Sequence, residues 1–324
     1  MKKSFVILSI CFLGFSNLFA QNWENKSISD SIIFHKITNN EDILWAVDYG
    51  NGQLFKSTDN GEEWTKKQQL NLEYLEVIQF TSPEIGYTCG DFGAIYKTID
   101  GGEKWVEIGP KIDNRIAKNH QDTSSIDGID GNFTAYYQLH FENDTNGFVW
   151  GFNYNPKKGF RESYTRFFYT TKNGGADWNY IEYTKEIQDS LYNHYAKKTT
   201  VRPINIGTNY YYDNSHIFTT DNDKKQKFFK YSKDGGQNWE LSPLPTIEGR
   251  WMVRNIVFLS LQEGYIFGGT LGDTEKAIML KTEDGGISWK IEKSDWTHIH
   301  HASIINGYLW VSGKKGLLQR WKVE

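Results

Sequence analysis

Residues 21–324 are predicted to fold as one all-β domain, a six-bladed propeller, and three observations predict it. A phrase of Ser/Thr, any residue, Asp/Asn, any residue, Gly, two residues and Trp occurs five times. Each copy ends a unit of about 40 to 50 residues in which short apolar strands come first, the period of a propeller blade. Finally, the last unit stops short of its phrase, and the start of the chain carries a matching fragment, as a ring closed by its two ends requires.

Residues 1–20 come first and stand apart. Lys2 and Lys3 precede an apolar stretch from Phe5 to Phe15, and Ala20 precedes polar Gln21, the pattern of a cleaved secretory signal peptide. Ile10 before Cys11 and Phe12 after it are wrong for a lipidation site. Without Lys2 and Lys3 the 36 basic residues become 34 against 40 acidic ones, so no polybasic surface argues for nucleic acid. No later apolar run is long enough to span a membrane. Cys89 is then the one remaining cysteine, so no internal disulfide forms, and within "GYTCGD" it reads as a buried small apolar residue.

The units begin near Ser31, Tyr74, Ala135, Thr208, Trp251 and Thr297. The phrases are "STDNGEEW" (57–64), "TIDGGEKW" (98–105), "TKNGGADW" (171–178), "SKDGGQNW" (232–239) and "TEDGGISW" (282–289). Each follows an apolar strand such as "QLFK" or "IMLK" and reads as a hairpin. The acidic or amide side chain accepts backbone N–H bonds of its own turn, glycine takes a positive φ, and tryptophan starts the return strand. Asp59, Trp64, Asp100, Trp105, Asn173, Trp178, Asp234, Trp239, Asp284 and Trp289 are therefore structural. The sixth unit holds "THIHHASI", "GYLWVSG" and "GLLQRWK" and no phrase. Residues 22–28 are expected to pair beside 316–322 and complete it. A seventh, degenerate blade within 109–134 is the alternative count.

The run "FTSPEIGYTCGDFGAIYKTIDGGEKW" (80–105) resembles the repeat of Asp-box (BNR) propellers, especially the photosystem II stability and assembly factor-like family, and more distantly sialidases. The resemblance covers the mature chain and implies the fold; functions within it range from hydrolases to receptors and assembly factors. Sialidases anchor a substrate carboxylate with three arginines, the first ahead of the first Asp-box. Here no arginine precedes Arg115, so that catalytic set is not carried over and no catalytic residue is assigned.

Strand alternation puts the Asp-box hairpins on one face, and the long crossings (109–134, 184–207) and long loops (153–165, 269–277) on the other. Variable loops on a rigid scaffold are where binding concentrates. That far face is expected to collect Arg115, Arg161, Arg166, Arg202, Arg250 and Arg254, with Tyr164, Tyr195, Trp251, Trp296 and His298 as stacking or polar neighbours. His298 and His300 share one side of an innermost strand and His301 takes the other, but no third ligand follows, so no metal is expected. "SSIDGIDGN" (124–132) lacks the distal glutamate of an EF-hand. The expected function is a secreted, monomeric, non-enzymatic platform that needs no cofactor and binds another secreted or envelope protein, or a glycan. The alternative is a glycoside hydrolase or lyase acting on an acidic glycan with Glu162 or Glu248.

Overall fold

The fold was analysed in a computed structural model, which describes residues 23–323 except 73, 91–93, 111–132, 155–163, 199–203, 207–208, 222–226, 271–275 and 293–295. Alternating apolar residues in short runs separated by tight turns give six antiparallel sheets. The innermost strands of sheets one, two, three, five and six are Phe34–Asn40, Leu75–Phe80, Phe133–Phe141, Trp251–Phe258 and Ile299–Ile305, and Asn209–Tyr211 is their counterpart in sheet four. In sheets one, two, three and five the strands follow in chain order outward from these, and in sheet six three do so before the chain's first strand takes the outer edge. Blade four departs from the plan. An extra strand, Ile204–Ile206, pairs on the inner side of Asn209–Tyr211 and makes that sheet five-stranded.

Six apolar clusters lie between neighbouring sheets, one per interface. Trp45, Val47 and Leu54 of blade one meet Leu75, Ile78 and Trp105 of blade two. Val77, Tyr87 and Cys89 of blade two meet Tyr136, Leu139 and Phe141 of blade three. Since these two blades pack directly on each other, no further blade fits between them, and the count is six. Phe34, Leu44 and Ala46 of blade one meet Trp310 and Leu318 of blade six, so the ring closes. Each such fully buried large side chain contributes about 1.5–3 kcal/mol.

The closure is built as the sequence implied. Glu24–Asn25 pairs antiparallel with Leu318–Lys322, placing Glu24 opposite Arg320 and Asn25 opposite Gln319. Arg320, only 4% exposed, bonds Glu24 through Nε at 2.8 Å and also reaches Glu62 and the carbonyl of Asn60 in the first Asp-box hairpin. Its guanidinium lies 4.3 Å from the Tyr308 ring centre. One side chain thus ties the first strand, the last strand and blade one together.

The crossing expected as a loop at 184–207 instead contains a helix, Lys185–Lys198. Thr184 caps it by accepting the N–H of Ile187 at 3.1 Å, and Ile187 and Leu191 pack into the cluster between blades three and four. A helix lets a long crossing satisfy its own backbone while adding apolar surface to that interface. Among the described residues no helix is long and apolar enough to cross a membrane.

Candidate functional site

The repeated phrase is spent on its own turns. In each hairpin the Ser/Thr hydroxyl donates to the Asp/Asn oxygen two residues on, and accepts the N–H of the glycine four residues on. The same Asp/Asn oxygen accepts the N–H four residues later. The backbone N–H of Lys104 leads the bonds that hold the Asp100 carboxyl below its ordinary range, and that of Asn238 those that bring Asp234 down to about 2. Asn173 does the same job without a charge. Trp105, Trp239 and Trp289 return their indole N–H to a carbonyl of their own turn, whereas Trp178 reaches the carbonyl of Ile108 in the preceding blade. Trp64 lies edge-on to Trp310 of blade six. Trp239 is the exception to packing, 38% exposed.

Gly101, Gly174, Gly235 and Gly285 donate to carbonyls in the loops between first and second strands, at 2.8–2.9 Å, so those loops share the Asp-box face. The innermost strands therefore begin on the opposite, far face. Near those beginnings the pairing slips in five blades, leaving one extra residue each: His35, Glu76, Tyr137, Arg254 and His300. Such a bulge re-aims a side chain out of the sheet. The second strand answers with glycine in four of the five. A Cβ on Gly90, Gly151, Gly268 or Gly313 would lie 1.9, 1.9, 2.1 or 1.9 Å from a carbonyl oxygen of the bulged strand. Blade one uses Asp48, whose carboxylate accepts the N–H groups of Ile33 and Gly50 instead.

Three of these bulge residues meet. His35 Nε2 lies 2.9 Å from Glu76 Oε2, and His35 Nδ1 lies 3.2 Å from His300 Nδ1. Tyr49 stacks on His35 at 4.6 Å and Tyr74 leans on Tyr49 at 4.8 Å. The ring of His298 is 4.7 Å from that of His300. Burial first, then the neighbouring His35, His298, Arg254 and Lys314, hold His300 uncharged by pushing it down to about 2. His301 is driven well below its ordinary value by burial and by Lys36, and Lys36 itself is lowered by burial. Among the described residues no three His, Cys, Asp or Glu side chains are grouped to hold a metal ion.

The expected ligand residues divide. Arg250 and Arg254 stand exposed at the entry to blade five, on the far face. Arg166 is exposed too, but its guanidinium bonds Tyr183 Oη at 3.2 Å and lies over that ring, out on the rim of blade three. Trp251 is corrected from ligand residue to core. It is 5% exposed in the cluster between blades four and five, because its strand starts there with its side chain toward Leu244 and Tyr210. Trp296 is likewise engaged, edge-on to Trp23 at 4.9 Å and bonded to Gln319. His298 is buried beneath His300 and offers little surface. Arg115, Arg161 and Arg202, with Glu162 and the 124–132 run, lie outside the described residues, as do the side chains of Tyr164 and Tyr195. His35, Glu76, Tyr49 and Tyr74 were not singled out from the sequence; Gly90 in the facing strand was a signal for the Glu76 bulge, and blade one, with Asp48 in that place, carried none.

A family model described as BNR/Asp-box repeat matches residues 230–241, the hairpin of blade four. This chain is a six-bladed β-propeller with an Asp-box repeat in it. Among solved structures it is similar to YCF48 bound to a D1 peptide, with 13% identity over 93% of this chain and 97% of that one and a TM-score of 0.57. It is similar to the WD40 propeller domain of Doa1, with 11% identity, coverage of 94% and 98%, and a TM-score of 0.50. A GH74 xyloglucanase from Xanthomonas campestris matches at 10% identity and a TM-score of 0.45, covering 91% of this chain and 46% of the enzyme. At such identities the likeness is one of fold. Comparison with curated proteins gives no match.

Proposed function

We propose that this propeller is a non-enzymatic binding platform that takes an extended segment of another secreted or envelope protein on the face away from the Asp-boxes. The observation that carries this reading is the ring of bulges: His35, Glu76, Tyr137, Arg254 and His300 leave five inner strands at equivalent places, beside exposed Arg250. Different side chains set at one level by a rigid scaffold form a recognition surface, whereas the Asp-box face is occupied by its own hydrogen bonds. YCF48 bound to a peptide is a precedent for a propeller of this shape holding a peptide. The described partner of Glu76 is His35, not a second carboxylate, so the acid pair of a glycosidase is not what this cluster supplies. Secretion rests on reading residues 1–20 as a cleaved leader.

The test is capture of partners from the native envelope fraction by the wild-type chain and by a variant carrying Tyr137→Ala, Arg250→Ala and Arg254→Ala. A partner retained by the wild type and lost by the variant supports the far face. Equal capture by both places the binding surface elsewhere.

A further inference from the structure

Among the described residues each blade ends outward in a strand with one open edge: Thr65–Gln69, Val106–Glu107, Asn179–Glu182, Glu240–Pro243, Lys290–Glu292 and Glu24–Asn25. An open edge is a template for another strand, and its own residues decide which strand fits. Laid antiparallel on a second copy of itself, Thr65–Gln69 sets Lys67 against Lys67, and Asn179–Glu182 sets Asn179 against Glu182. Pro243 deprives Glu240–Pro243 of an N–H, and Val106–Glu107 and Glu24–Asn25 are two residues long. Lys290–Glu292 alone among them brings opposite charges together, Lys290 against Glu292 twice, with Ile291 against Ile291 on the two-fold axis. The pairing inside blade five places these side chains. Ile291 stands opposite Leu280, which is buried against blade four, whereas Glu292 stands opposite Met279 on the face toward blade six, and Lys290 shares that face. Ile291 is 57% exposed, a large apolar side chain at the rim of the ring. Lys290 is exposed and 3.6 Å from Glu283, and Glu292 has no ion pair among the described residues.

We propose that the outer edge of blade five is a docking surface for a second copy of this chain, with Lys290–Glu292 pairing antiparallel to its own copy so that the two blades run on as one sheet. Such a dimer takes the place of the monomer expected from the sequence and stands independently of any ligand on the far face. On one side of the joined sheet the two Lys290–Glu292 pairs flank the axis, and Glu292 gains the cation it lacks. On the other side the two Ile291 side chains cover each other and leave water. Most edge strands are blunted by charge, but here the charges are opposite and evenly spaced about the centre, so self-pairing satisfies them rather than opposing them. Three residues from each copy make a small contact, so the association is weak, reversible and sensitive to salt. Because the paired strands run in opposite directions, the two propeller axes are reversed. The two far faces then point opposite ways and both stay open, which makes the dimer a bivalent platform able to hold two partners at once.

Sedimentation equilibrium of the mature chain at low ionic strength, over a range of protein concentrations, tests this. The wild type is expected to show a monomer–dimer equilibrium. Lys290→Glu and Glu292→Lys each set like charges against each other in the symmetric pair and should weaken self-association at least tenfold. An equimolar mixture of the two variants restores opposite charges across the edge and should associate as well as the wild type, while unchanged melting curves show that both variants fold. A cross-link reads the register. Antiparallel pairing holds Ile291 and its copy about 4.5–5.5 Å apart between Cα atoms, within disulfide reach. Ile291→Cys should therefore oxidise to a covalent dimer, since Cys89 is buried and does not compete. Ile287→Cys, exposed on the Asp-box turn of the same blade, should not. A wild type that stays monomeric at the highest concentration reached, a mixture that associates no better than either variant alone, or equal cross-linking at the two cysteines overturns the proposal. Should a charge variant fail to fold, the two cysteine variants decide alone. Loss of partner capture through the far face leaves these results standing, so the two readings fail separately.

Discussion

At the residue scale, five of the six inner strands carry a single extra residue near the face away from the Asp-boxes. The Asp-box carboxylates and indoles serve their own hairpins, whereas a bulge turns His35, Glu76, Tyr137, Arg254 and His300 out of register on the other face. Glycine makes the bulge possible. Gly313 faces the carbonyl of His298 so closely that a methyl group would sit 1.9 Å from the oxygen. Gly313→Ala is therefore expected to destabilise the protein by about 3 kcal/mol, as overpacking against backbone does, and to displace His300. Urea unfolding measures the first and the His300 resonance the second; an unchanged midpoint would show that the strand pair can widen without cost. The sequence displayed these glycines in "GYTCG", "FVWG", "YIFG" and "WVSG". Their meaning was not legible there, because a glycine ending a strand reads equally as the start of a turn.

At the element scale, the chain ends and the third crossing show what pattern alone can and cannot deliver. The two-residue strand Glu24–Asn25 is too short to persist by itself, and it holds because Arg320 binds it and the blade-one hairpin at once. Arg320→Met, or deletion of residues 21–28, is expected to cost about 3 kcal/mol, the low end for breaking a buried ion pair because Glu24 and Glu62 reach solvent. Combining both changes should cost much less than their sum, since they remove one interaction; thermal melts of the set check this, and full additivity would mean that Arg320 acts without the first strand. The helix at Lys185–Lys198 left a trace in the sequence as Thr184 followed by Ile187 and Leu191. Two apolar positions a turn apart are weak evidence beside a fold made of strands, and only the gap between blades three and four gives them something to cover.

At the scale of the whole molecule, the ring packs several titratable side chains into one interior. His140 is brought down to about 4 by burial and then by Lys36, and His300 and His301 are lowered as well. The unfolded chain binds these protons below about pH 6.5 while the folded chain refuses them, so stability falls as pH falls. Each histidine kept neutral costs about 1.4 kcal/mol per pH unit in that window. Three of them predict a marked loss of stability between pH 7 and pH 5, measurable as a falling urea midpoint. Replacing His140 with Gln should reduce the slope by the share of one proton. A flat profile over that range would mean that water reaches these rings.

The sequence by itself determined the blades and the meeting of the two ends, but left six or seven as the count until blade two was seen packed directly on blade three. Those follow from local turn chemistry and from alternation, both of which are written in consecutive residues. It also separated the Asp-box face from the other, since strand direction alone sorts the loops. Which side chains meet on the far face was decided only by the tertiary structure. His35, Glu76 and His300 are as far as 265 residues apart in the chain, and nothing near any of them in sequence records that partnership. Closing the ring brings blades six, one and two side by side, and a one-residue slip in each inner strand turns the three side chains toward one another. Trp251 and Trp296 moved the opposite way, from expected ligand contacts into packing, because an aromatic residue at the entry to a strand is claimed by whichever neighbouring blade lies against it.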